Sequence, residues 1–198
     1  SNMTEIWLIR HGMTEGNRYQ RYIGKTDELL CEEGKEKLKE FFYPEPEAVF
    51  VSPLARCRET AEILFPEKRL RIIDQLAECD FGDFENKNYL ELSGNPDYQA
   101  WIDSGGLLPF PNGESREEFQ KRTLEGFQRV VTACFRSHIS RAAVVVHGGT
   151  IMNIMEAYGY PGRSFYDWHV KNGCGYQVKA DPVLWNRNRK VLELINEL

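Results

Sequence analysis

The stretch EIWLIRHGMTEGN, residues 5–17, sets the apolar run Ile6-Trp7-Leu8-Ile9 directly against Arg10, His11 and Gly12. Four consecutive apolar residues bounded by polar ones read as a short strand buried on both faces. A strand that served only the core would not end in two large basic side chains. This one does, and the next residue is the one with the freest backbone. In open α/β sheets ligands bind outside the carboxyl ends of the strands, so such an ending presents hydrogen-bonding groups where a ligand can meet them.

The pattern recurs along the chain. AVFVS, residues 48–52, reads as a second buried strand ending in Ser52, with Arg56 and Arg58 in the first turns of a helix predicted over 53–64 that opens on proline. A third strand is predicted over 70–73, and Glu78 in LAECDFGDFE lies just past it. RAAVVVHGGT supplies a fourth strand over 142–146, which ends in His147-Gly148-Gly149 before a helix over 150–158. A helix over 32–42 is expected to turn Leu38, Phe41 and Phe42 inward and its lysines outward. Another, over 115–138, opens with SREE, a capping box in which Glu118 reaches back to Ser115. Residues 173–179 and 191–195 read as closing strands, the second also compatible with a helix. Strands separated by helices predict an α/β fold with a mostly parallel sheet covered on both faces. Residues 86–112 differ, with Tyr89, Tyr98, Trp101 and Phe110 set among glycine, proline and asparagine. They read as an inserted lid.

Bulk properties narrow the function classes. The 198 residues, 41% hydrophobic and 28% charged, are enough for one domain over 3–198 with a proper core. Ser1-Asn2 reads as a tag remnant. The net charge of −5 argues against nucleic-acid or anionic-membrane partners, because the general field repels phosphate backbones. No apolar run approaches the roughly 20 residues that span a bilayer, and no secretory signal is visible. Cys31, Cys57, Cys79, Cys134 and Cys174 are scattered, with no pair at C-x-x-C spacing, which fits free thiols in a reducing cytoplasm. His138 and His169 read as structural histidines, and the lid aromatics as packing residues. If those aromatics reach a ligand, they favour one with an apolar or ring-bearing part.

Two histidines, at least two arginines, helix N-termini and Gly-Gly amides converging on one crevice make an oxyanion site, and phosphate fits it best. The same positive crowding disfavours a metal dication. A neutral imidazole in such a cradle can attack phosphorus, and arginines neutralise charge on the transferring group. Glu78 can protonate the leaving alkoxide if a neighbouring phosphate raises its pKa.

Four segments, LIRHGMTEGN, SPLARCRETA, LAECDFGDFE and VVVHGGTI, together resemble the histidine phosphatase superfamily, in its phosphoglycerate mutase-like branch. They stand in the family's order and at its spacing, so the resemblance covers nearly the whole chain. It implies a three-layer α/β/α sandwich with no cofactor. It also implies His11 as the phosphorylated nucleophile, Arg10 and Arg56 gripping the phosphate, and His147 bonding a non-bridging oxygen. Glu78 would then be the proton donor, with Asn17 and the Gly148 amide lining the pocket. Arg58 lies two positions past the family's arginine and reads as a helix-surface residue, a candidate for ion pairing.

Within the family, ECDFGDFE, PFPNGES and the modest length are most similar to α-ribazole phosphatases and related small-molecule phosphatases. Phosphoglycerate mutases usually carry an arginine where this chain has Cys79. Cys57 replaces the usual alanine, and Cys31 stands where a Thr or Ser cap is common; both read as packing changes. The expected activity is metal-independent, cytoplasmic hydrolysis of a small-molecule phosphate ester such as α-ribazole 5′-phosphate through phosphohistidine. A phosphoglycerate mutase is the alternative, and a non-catalytic phosphate-ligand binding protein the second. A protein phosphohistidine phosphatase would need an open site, which the lid segment opposes.

Overall fold

In the computed structural model, residues 2–198 are described, and they form a seven-stranded sheet. The chain order begins β1 (Thr4–Arg10), α1 (Glu15–Arg18), α2 (Glu32–Leu38), β2 (Ala48–Val51), α3 (Ala55–Leu64) and β3 (Leu70–Ile72). It continues with α4 (Pro96–Asp103), α5 (Arg116–Arg136), β4 (Arg141–Val146), α6 (Gly148–Tyr158) and β5 (Gly159–Tyr160). β6 (Gly175–Ala180), α7 (Pro182–Asn186) and β7 (Leu192–Glu197) complete it. Across the sheet the order is β3-β2-β4-β1-β6-β7-β5. The pairs β3–β2, β2–β4, β4–β1 and β7–β5 are parallel, while β6 runs antiparallel to both β1 and β7.

Strand alternation divides the core into two layers. Ile6, Leu8, Phe50, Val144 and Val146 face one side, packed with Phe127, Val130 and Val131 of α5 and Ile151 and Ile154 of α6. Trp7, Ile9, Val49, Val51, Ala143 and Val145 face the other, packed with Cys57 and Ala61 of α3. The result is the expected three-layer α/β/α sandwich. Burying each large aliphatic or aromatic side chain on these faces contributes about 1.5–3 kcal/mol, which is why central strands read as unbroken apolar runs.

One expectation is corrected and two are sharpened. The helix predicted over 32–42 stops at Leu38, because Lys39, Glu40 and Phe41 tighten into bonds three residues back. Leu38 is buried as expected and Phe41 is half-buried, but Phe42 is 93% exposed. From Leu192 on, the residues read as the second closing strand fall on β7, whose pairing with β6 resolves the strand-or-helix ambiguity in favour of the strand. The segment over 86–112 contains α4, started by Pro96 and capped by Asn95, whose Oδ1 accepts from the amides of Asp97 (2.9 Å) and Tyr98 (3.2 Å). Near its end the segment packs on Gly82 (φ +53°), where any side chain would strike the Pro111 carbonyl. No helix among the described residues is long and apolar enough to cross a membrane.

Candidate active site

The sheet register gathers the site. Arg10 pairs with Val146, and Val51 with Val145, so β1, β4 and β2 end level with one another. The next residues on each strand, His11, His147 and Ser52, are therefore neighbours. The His11 amide continues the ladder to the Val146 carbonyl (3.0 Å), and that of Ser52 to Val145 (3.2 Å).

His11 is almost wholly buried. Its Nδ1 lies 2.6 Å from the Gly12 carbonyl. A carbonyl only accepts, so Nδ1 carries the proton and Nε2 keeps its lone pair. Burial first, then Arg56 and Arg10, holds the imidazole well below its ordinary pKa, so the ring is neutral near pH 7. His147 caps α6, and its Nε2 is bonded to the Ser52 hydroxyl (2.7 Å). Its pKa is lowered for the same leading reason, burial, followed by Arg56. The two rings meet edge to face with centroids 5.3 Å apart.

Arg56 is fully buried on α3. Its Nη1 donates to the Thr26 carbonyl (2.7 Å), and its Nη2 to those of Gly24 (2.9 Å) and Ile23 (3.2 Å). That loop is in turn shaped by Glu85, whose carboxylate accepts from Gly24 N, Thr26 N and the Thr26 hydroxyl. Arg10 donates from Nη1 to the Val170 carbonyl (2.8 Å). The Nε–H groups of both arginines are buried with no partner. Each such orphan costs about 1–3 kcal/mol, a penalty an anion would relieve.

Glu78 sits opposite the first turn of α6. Its carboxylate accepts from the amides of Cys79 (3.0 Å) and Gly149 (3.2 Å). A side chain at Gly149 would come within 2.5 Å of Glu78 Oε1, so only glycine permits the approach. Burial raises the Glu78 pKa above the ordinary carboxylic range, outweighing those two amides and both arginines.

Two cavities adjoin these groups. One, of about 290 Å³, is lined by Glu78, Cys79 and Gly149 together with Tyr22, Phe81, Trp101, Phe110, Phe119 and Tyr166. The other, of about 390 Å³, is polar, lined by Arg10, Asn17, Arg21, His169 and Asn172 among others, and Tyr22 borders both. Trp101 and Phe110 thus line a cavity while also packing against one another and Phe84; Tyr98 lies beside them, buried with Phe84 and Leu92.

The other predicted residues divide. Asn17 borders the polar cavity, and its Oδ1 accepts from Thr14 N (3.1 Å) and Asn172 Nδ2 (3.1 Å). Gly148 starts α6 beside the Arg10 guanidinium. Arg58 forms no ion pair among the described residues; its Nε donates to the Pro53 carbonyl (3.1 Å). His138 takes a left-handed backbone (φ +52°) just past α5. His169 is exposed, on the wall of the polar cavity. Cys57 is a buried thiol pushed up to about 12, its Sγ 3.5 Å from His147 Nε2. Cys31 is the N-cap of α2 and makes no side-chain cap bond. Three contributors carried no sequence signal strong enough to find: Gly149 as the seat of Glu78, Asn172, which donates to the His11 carbonyl (3.1 Å), and the Glu85-held loop. Among the described residues no group of three His, Cys, Asp or Glu side chains is placed to hold a metal ion.

A neutral imidazole with a free lone pair, beside two buried guanidiniums and opposite a buried carboxyl whose pKa is raised, suits phosphoryl chemistry on an α/β scaffold. A match to the histidine phosphatase superfamily (branch 1) runs over residues 6–196, and the chain belongs to that family and is an enzyme of the phosphatase class. It is 28% identical to the adenosylcobalamin/α-ribazole phosphatase of Escherichia coli, over 85% of this chain and 86% of the relative. It is 31% identical to the uncharacterized phosphatase PhoE of Bacillus subtilis, over 92% of each. The solved α-ribazole phosphatase of Shigella flexneri superposes with a TM-score of 0.78 at 26% identity, covering 98% of this chain and 96% of that one.

Proposed function

We propose that this phosphatase is a metal-independent phosphomonoesterase that hydrolyses a small-molecule phosphate ester through a phosphohistidine at His11. The observation that carries the reading is the His11 tautomer. With Nδ1–H donating to Gly12 and the ring neutral, Nε2 can attack phosphorus without first losing a proton. The P–O ester bond breaks as the P–N bond forms, and its electron pair leaves on the alkoxide, which takes the proton held by Glu78. Arg10 and Arg56, with their unpartnered Nε–H groups, and His147 stabilise the equatorial oxygens. Water then attacks phosphorus and yields a proton to the Glu78 carboxylate; the P–N pair returns to Nε2 and inorganic phosphate departs.

Among small esters, α-ribazole 5′-phosphate is the substrate we propose. The relatives named above support it, as does an aromatic cavity beside Glu78 sized for a ring-bearing leaving group. Cys79, where mutases usually place an arginine, adds no cation for a sugar acid; burial raises its thiol pKa, leaving it neutral.

The test is phosphate release from α-ribazole 5′-phosphate, nucleoside monophosphates, sugar phosphates and 3-phosphoglycerate in excess EDTA, with acid-stability analysis of trapped phosphoenzyme. Expected are EDTA-resistant turnover, an acid-labile phosphoenzyme absent from His11→Ala, and the highest kcat/KM for α-ribazole 5′-phosphate. An acid-stable adduct, or one retained without His11, would overturn the mechanism. A faster sugar phosphate would overturn only the substrate.

A further inference from the structure

We infer that Arg122, clamped to Glu114, is a positioning residue for the proton-donating carboxyl; this rests on the reading of Glu78 as that donor. After β3 the chain leaves the sheet, so the backbone around Glu78 lacks strand partners there. Arg122, on α5, supplies them. Its Nη1 donates to the carbonyls of Gln75 and Ala77 (2.9 Å each), and its Nη2 to the carbonyl of Glu78 itself (3.1 Å). Its Nη2 and Nε also engage Glu114 in a two-pronged pair at 2.7 and 3.0 Å. The five N–H groups of one guanidinium thus meet five acceptors.

Glu114 completes the clamp by accepting from the amide of Asp80 (2.8 Å). Backbone groups on both sides of Glu78, the carbonyls of residues 75, 77 and 78 and the amide of residue 80, are therefore tied to one ion pair. Neither side chain lines the cavity that holds Glu78. The pair's hydrogen bonds reach the carboxyl through the backbone that carries it, and the Arg122 charge also acts on Glu78 through space. Lysine cannot reproduce this, because an ammonium has no planar fork.

Misplacing a reacting group by about 1 Å can cost up to roughly 10²-fold in rate. The loss should appear where a proton must be delivered and vanish where it is not needed. The experiment measures kcat/KM for alkyl and aryl phosphates of rising leaving-group pKa, ending on p-nitrophenyl phosphate, with wild type, E78Q, R122Q, R122K and E78Q/R122Q. Removing the acid should cost E78Q about 10²- to 10⁴-fold on alkyl esters and little on p-nitrophenyl phosphate. R122Q should show the same slope at about tenfold on alkyl esters and under about threefold on p-nitrophenyl phosphate, with R122K between it and wild type. The double variant should be no worse than E78Q on alkyl esters.

A flat profile for E78Q would remove the donor itself. A steep E78Q profile beside an R122Q loss equal on all esters, or losses that multiply in the double variant, would reduce Arg122 to a structural role and overturn the inference. Should R122Q fail to fold, the R122K slope decides: a slope like wild type overturns it.

Discussion

The proposed phosphate cradle and the aromatic cavity beside it are built by opposite means. The cradle takes His11, Ser52 and His147 from three adjacent strand ends in one register, and its arginines are anchored to backbone carbonyls. The cavity takes Tyr22, Phe81, Trp101, Phe110, Phe119 and Tyr166 from elements far apart in the chain, and its contacts are apolar. A reacting geometry needs rigid supports, whereas selection among leaving groups can rest on side chains carried by loops and short helices. Substitutions in the cradle should therefore lower all substrates alike, and substitutions in the cavity should re-rank them.

The largest effect tests the cradle directly. His11→Ala should lower kcat/KM by on the order of 10⁴-fold or more on every ester, since residues that act as a unit fail together; steady-state assays that find any substrate spared would break the comparison. Arg56→Ala should cost on the order of 10²- to 10³-fold in kcat. It should also lower unfolding stability by about 3 kcal/mol, because the carbonyls of Ile23, Gly24 and Thr26 lose their donor. Denaturant melts and kinetics measured on the same preparation separate the two losses.

On the cavity side, Trp101→Ala should reduce kcat/KM for ring-bearing esters by about tenfold while leaving glycerol phosphate nearly unchanged. Equal losses on both would mean the ring only packs against its aromatic neighbours and selects nothing. The pH profile sharpens the contrast further. His11 loses its nucleophilic lone pair only on protonation, and its lowered pKa places the acid limb of kcat/KM below 6.5. As the proposed donor, Glu78 must hold a proton, and its raised pKa places the basic limb above 4.5.

The smallest effect is on stability. A carboxyl whose folded pKa is raised binds more protons folded than unfolded, so its contribution is full below about pH 4.5 and is lost as pH rises through the folded value. Glu78→Gln should therefore be more stable than wild type at pH 7 and gain nothing at pH 4, read from urea midpoints. Buried His11 has the opposite sign: with its pKa lowered, the fold weakens as pH falls from 6.5 toward the folded value.

How much was legible differs along the same line. Buried strands announce themselves by unbroken apolar runs, and Arg10, His11, Ser52 and His147 were visible as polar residues ending those runs. The overreach to Phe42 came from periodicity continuing past the point where the backbone tightens, which no apolar pattern encodes. The strand over Leu192–Glu197 was ambiguous because Leu192 is its one buried residue, and a strand exposed along most of its length carries a weak apolar signal.

By itself the chain determined a sheet whose strand ends carry histidine, arginine and hydroxyl groups, because burial on both faces leaves a distinct local signature. Only the tertiary structure decided that His11 keeps Nε2 free, that Gly149 admits the Glu78 carboxylate, and that Arg122 and Glu114 hold the segment bearing it. Those contacts join residues up to 71 positions apart. They depend on distances of a few tenths of an ångström between elements, which are set by how the helices pack on the sheet and leave no trace in local residue order.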